Sequence, residues 1–268
     1  VVPIDKTAKS ELQNMEVPFE ANAWLAMESA LDNLELEGID EVAKSALEDF
    51  ETPYNSSDWA IMEQKINLVL LTHVLAGTVA LATGLYTLIA KKGNQRHKKL
   101  GMVFFISMVV VSISAILVSL MKGGSFLLHL GIFSFYMNYT GFRSIRNKRL
   151  IISKLDWAIT IIAAVNTFFM LFSFQLILIV FGIISLSLIV GQLSTYYKLN
   201  NNKPIPKLAW LAQHIGMMVG TYISTLTAFL VVNINFVQPV WIVWMLPSAV
   251  LVPMIVYWTR KYTQNLKN

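Results

Sequence analysis

The sequence predicts an all-α membrane protein: a bundle of seven transmembrane helices with a small, acidic, helical N-terminal segment outside the bilayer. Three observations carry this. Of 268 residues, 55% are hydrophobic and 14% charged, where soluble domains average about 25% charged, and the mean hydropathy is +0.57. Seven apolar stretches follow one another, each near the roughly 20 residues that cross a bilayer. The charge is also divided unevenly. Residues 1–65 hold 15 acidic side chains against four lysines, a net −11, while the rest holds 17 basic residues and the single acid Asp156, a net +16. The isoelectric point of 9.3 therefore averages two unlike parts, and nucleic-acid binding does not follow from it.

Residues 1–65 form the acidic segment and 66–268 the membrane domain. The segment contains a duplication: Pro18-Phe19 and Pro53-Tyr54 are followed by Trp24 and Trp59, then by Met27-Glu28 and Met62-Glu63, every pair 35 positions apart. Each copy reads as a turn, a cap and a helix, with Asn22 capping one and Ser56 or Ser57 the other. Gly38 and Asp40 separate a further helix carrying Ala43, Leu47 and Phe50. No Pro or Gly lies between Asp58 and Asn67, so the last segment helix should run on into the first span. The aromatics either pack on each other or at the bilayer surface, or dock a partner through Phe19, Trp24, Tyr54 and Trp59. The chain opens at Val1 rather than Met, which implies sequence upstream, and no signal peptide is legible after it. With no cysteine, disulfides, thiolate metal sites and thiol catalysis are excluded.

The spans are expected at about Asn67–Ala90, Leu100–Leu120, Phe126–Ile145, Leu155–Leu171, Gln175–Tyr196, Leu208–Val232 and Val240–Trp258. The run from Asp156 to Tyr196 is too long for one helix and is split at a tight turn near Ser173. Pro247 and Pro253 should kink the last span, and Gly216-x-x-x-Gly220 lets a neighbour approach the sixth closely. Loops one, three and five are rich in Lys and Arg, as is the C-terminus, while loops two, four and six hold only Lys122. The positive-inside rule then puts the N-terminus outside and the C-terminus in the cytoplasm of a bacterial inner membrane. Trp210, Trp241, Trp244 and Trp258 fall near helix ends, as an aromatic belt requires.

All four histidines lie in the membrane domain. By topology they sort into an outer pair, His73 and His129, and an inner pair, His97 and His214. His73, Gly77, Ala80 and Gly84 share one face of the first span, a small-residue groove against which either a helix or a flat cofactor could lie. Haem b held by two histidines needs ligands from different helices at one depth beside small residues, and such ligands set its potential. The plainer alternatives are a basic rim for His97 and interhelical hydrogen bonds for the others. Asn138, Asn166 and Thr225 are further intramembrane polar groups that line a cavity or join helices. Asp156, at the inner start of span four, suits a helix cap paired with Lys154 or a nearby Arg better than a proton relay. No acid lies at mid-depth, which argues against an ion-coupled carrier, and span seven has no lysine for a retinal.

From Asn67 to Trp258 the chain resembles a family of bacterial multi-span membrane proteins described only as a domain of unknown function. The resemblance rests on His73-x-x-x-Gly77 with Gly84, His97-Lys98-Lys99-Leu100-Gly101, His214-x-x-Met217, Thr225-Leu226-Thr227-Ala228-Phe229 and Pro247. Lys98 stands where members tend to carry Arg. It implies that His73, His97 and His214 act as a set, and it implies no activity. The first expectation is thus a non-catalytic membrane subunit or scaffold, embedded in lipid, whose acidic tail docks a periplasmic or membrane protein. The alternatives are a haem b electron-transfer protein using all four histidines, and a small-molecule transporter.

Overall fold

The protein is described by a computed structural model covering residues 56–234 and 236–264. The chain divides into two units, Val1–Ala60 and Ile61–Asn268, and the helical bundle belongs to the second. The described residues form seven helices: α1 Ser56–Ile89, α2 Gln95–Lys122, α3 Ser125–Arg146, α4 Lys154–Leu171, α5 Leu176–Asn200, α6 Ala209–Asn233 and α7 Trp241–Gln264. A helix stands at each of the seven expected positions, α1 beginning 11 residues before its expected span. α1 is one unbroken helix from Ser56, as the absence of Pro and Gly implied.

Local chemistry explains the boundaries. The Asn94 side chain accepts from His97 N and caps α2, and Gly123, at φ 72°, closes it in the left-handed region with its N–H donated to Ser119 O. Ser153 and Asp156 form a reciprocal capping box at the start of α4. The break expected near Ser173 is there, a four-residue turn between α4 and α5. α7 stays helical through Pro247 and Pro253.

Among the described residues six helices are long and apolar enough to cross a bilayer, and α3 is the one that falls short. The reason lies in its position. α3 packs on α2, α4, α5 and α6, and its Ser134, Asn138, Thr140 and Ser144 are buried. A helix that faces neighbours rather than lipid can carry polar groups, provided those neighbours satisfy them. The outer helices show the converse, with Leu71, Val79, Phe168, Val190 and Val250 exposed, as hydrocarbon contact allows.

Two apolar clusters fill the interior. One joins Phe133 and Met137 of α3 to Met170, Phe181, Ile189, Met217 and Trp244. The other joins Ala80, Phe104, Met108, Val219, Tyr222 and Leu251. α6 contributes to both. Trp244, expected in the interfacial belt, is instead buried, edge-on to Phe126 and Phe181. The short connections alternate the helices, so loops α1–α2, α3–α4 and α5–α6 share one end with the C-terminus of α7. This is the basic end of the bundle, after the lysines and arginines it carries.

Candidate functional site

Three of the four histidines are held through the same ring atom. His73 Nδ1 lies 2.9 Å from Ser114 Oγ on α2, and that hydroxyl already donates to Val110 O at 2.7 Å. The hydroxyl's proton is thus spent, so the imidazole must be the donor. His129 Nδ1 lies 2.8 Å from Asn166 Oδ1, while the same amide donates Nδ2–H to His129 O at 3.1 Å. His214 Nδ1 lies 2.9 Å from the carbonyl of Gly141. In each case Nδ1 is the donating nitrogen. Fixing one ring nitrogen on a neighbour and leaving the other free is how proteins present histidine to a metal.

His97 differs. Its ring lies against the Thr87 carbonyl, with Lys92 and His214 within electrostatic reach, and its buried Nδ1 has no hydrogen-bond partner. A buried, unpaired polar atom typically costs about 1–3 kcal/mol, so this idle nitrogen calls for an occupant. Lys92 closes the same corner: its ammonium donates to Thr87 O and Leu88 O at 2.8 and 2.6 Å and sits 4.5 Å from the Trp258 ring centroid. Burial lowers its pKa from the ordinary lysine value. His97 from α2 and His214 from α6, the expected inner pair, lie within electrostatic reach of one another at the basic end. The expected outer pair is not joined in this way, since His73 is tied to α2 and His129 to α4.

The glycines divide the histidines further. A Cβ added at Gly77, Gly101 or Gly216 would meet nothing within 4 Å. These three lie four residues after His73, four after His97 and two after His214. Gly131, two residues after His129, is plugged by Ile116, Ala115 and the Ser112 carbonyl. Gly84, expected to extend the groove of His73, is filled as well: a Cβ there would collide with the Tyr222 ring and come within 3.0 Å of Phe104. The groove on α1 is a helix contact at its Gly84 end and open at its Gly77 end.

The remaining intramembrane polar groups act as ties between helices. Asn138 donates to Phe105 O at 3.0 Å, Asn166 holds His129, and Thr225 donates to Thr221 O and lies 2.9 Å from Met108 Sδ. They reach different partners on different helices. Asp156 is the hub of the largest network. It accepts from Ser153 N and Oγ, both at 2.8 Å, from Tyr139 OH at 2.7 Å, and from Arg143 Nε and Nη2 at 3.1 and 3.3 Å. Its partner is Arg143 rather than Lys154. A carboxylate so fully engaged is a fastening, not a relay. Beside it, Tyr136 OH donates to Gln192 Oε1, and Gln192 Nε2 donates to Tyr196 OH, at 2.5 and 2.6 Å. The cleft bounded by Tyr139, Arg143, Asp156, Gln192, Tyr196 and Gln213 encloses about 10 Å³, room for about one water.

Among the described residues no three His, Cys, Asp or Glu side chains are grouped to hold a bare metal ion. Phe19, Trp24 and Tyr54 lie outside the described residues, and so does the side chain of Trp59.

Residues 70–155 match a family described as "Predicted membrane protein (DUF2306)". The match covers His73, His97 and His129, and its description as a membrane protein agrees with the apolar helices. No curated protein and no solved structure matches the chain.

Proposed function

We propose that the protein binds haem b, which His97 and His214 would hold, and carries electrons within the membrane. The idle, buried Nδ1 of His97 beside His214 carries this reading. Among the described residues Ser112 Oγ, Asn138 Oδ1 and Thr227 Oγ1 are also buried without a partner, but of these four atoms the His97 nitrogen alone is a good ligand for iron. The donor set also favours a haem over a bare ion. A structural or catalytic metal needs three or four protein ligands. Haem brings four nitrogens of its own and asks the protein for two.

Gly101 and Gly216 offer the unobstructed surface that a flat group beside these histidines needs. The Gly141 carbonyl would hold His214 in the Nδ1–H tautomer and keep Nε2 available. Lys92 would add a fixed positive charge at the same corner. When bound, haem b supplies a reversible one-electron couple whose potential depends on its axial imidazoles and the surrounding charge. His73, with Nδ1 fixed on Ser114 and with open Gly77, is the candidate for a further ligand. His129, enclosed by Asn166 and a plugged glycine, fits an interhelical tie. The positive-inside rule supports placing the basic end, and hence this centre, on the cytoplasmic side of a bacterial inner membrane.

Haem content per polypeptide, measured on single-histidine variants purified with full haem supply, tests the assignment. His97→Ala and His214→Ala should each lose the centre, while His129→Ala should keep it. Retention of all haem in both His97→Ala and His214→Ala would sink the ligand pair.

A further inference from the structure

The turn between α4 and α5 differs from the other connections at its end of the bundle. α2–α3 carries Lys122, and α6–α7 passes through Asn233 and Gln238, whereas no charged residue occurs between Asp156 and Lys198. Its largest side chains point outward and are apolar: Phe172 and, in the flanking helices, Phe168 and Leu176 are exposed, and Phe174 is 96% exposed, with the uncharged Gln175 exposed beside them. In water such a cluster would be a liability.

Helix length limits how far the turn can reach. The start of α4 is pinned at the basic end by the Ser153–Asp156–Arg143 network. From there α4 runs 18 residues, about 27 Å at 1.5 Å per residue, against a hydrocarbon core of about 30 Å. Any tilt shortens that reach.

The turn meets in part the condition that lipid imposes on backbone, although α5 opens at Gln175 without a side-chain cap. Irregular chain in hydrocarbon must satisfy its polar groups internally. Phe172 N donates to Phe168 O at 3.2 Å and Ser173 N to Met170 O at 3.4 Å. The Ser173 hydroxyl donates to Met170 O at 2.8 Å and accepts from Gln175 N at 3.4 Å. Phe174 holds φ 57°, a left-handed conformation that costs a non-glycine residue and that Asn or Gly would adopt more readily in water. An aromatic at this position is explained if apolar contact outside the protein offsets that cost.

We infer that the α4–α5 turn does not emerge into water: Phe172, Phe174 and Leu176 are dissolved among lipid acyl chains at the far hydrocarbon boundary. The occupant of this surface is lipid rather than another protein. This stands apart from the haem reading.

The chain has no cysteine, so single-cysteine variants carry one label each. Phe174→Cys, and Phe172→Cys as a second position, would be spin-labelled in bilayers beside Lys122→Cys, and relaxation by oxygen compared with that by a water-soluble nickel chelate. The expected result is oxygen access clearly above nickel access at 172 and 174, and the reverse at 122. Nickel access at 174 equal to that at 122 would overturn the inference in favour of a water-exposed tip. Low access to both reagents would overturn it in favour of a protein contact.

Discussion

Asp156→Ala should be the most destabilising single substitution in the membrane domain. It removes the acceptor of five hydrogen bonds and half of the Ser153 capping box, and it strands Arg143. Breaking a buried ion pair by deleting one partner costs roughly 3–5 kcal/mol. The Asp156 side chain is 2% exposed and that of Arg143 32%, so Arg143 can recover some solvation and the lower end, about 3 kcal/mol, is expected. Thermal unfolding of the detergent-solubilised protein measures it. Replacing both partners with leucine should be milder than Asp156→Ala, because no charge is then left without its counterpart. A loss under about 1 kcal/mol for Asp156→Ala would mean the network fastens little.

The second large effect separates packing glycines from site glycines. Gly84→Ala drives a methyl into the Tyr222 ring, and overpacking of this kind costs about 1–3 kcal/mol. Gly101→Leu meets no neighbour near its Cβ and removes a helix-interior glycine, so stability should hold or rise by up to about 1 kcal/mol. Its side chain would occupy the open space beside His97, and a similar cost of about 1–3 kcal/mol, now set against the haem, weakens haem binding about 5- to 150-fold. Stability and haem content should thus respond in opposite patterns: Gly84→Ala loses the first, Gly101→Leu the second. Unchanged haem content in Gly101→Leu would detach that glycine from the site.

Much of the fold was legible in the sequence because lipid simplifies the rules. Seven apolar stretches became seven helices, and even the break at Ser173 followed from length alone. α3 was readable only as one more span. That it is the central helix, hidden from lipid, follows from its packing on four neighbours, which buries Asn138, Thr140 and Ser144. The histidines could be sorted by depth, yet depth says nothing about partners. His129 turns to Asn166 on α4, and His73 to Ser114, because neighbouring helices present those groups, a tertiary fact. The groove Gly77–Gly84 read as one surface by periodicity. Its lower half is taken by Tyr222 of α6, which is 138 residues away in sequence. Arg143 as the partner of Asp156 was within reach of the sequence, since positive-inside loops place both near the same end. The Tyr136–Gln192–Tyr196 chain was legible only in its i, i+4 step on α5.

The haem assignment to His97 and His214 is tested most directly by the optical spectrum of the unmodified, full-length protein, purified from membranes with ample haem supply. It should show a Soret band that sharpens and shifts on reduction with dithionite, together with the α and β bands of a low-spin centre held by two imidazoles. A spectrum with aromatic absorption alone, oxidised and reduced, would contradict it.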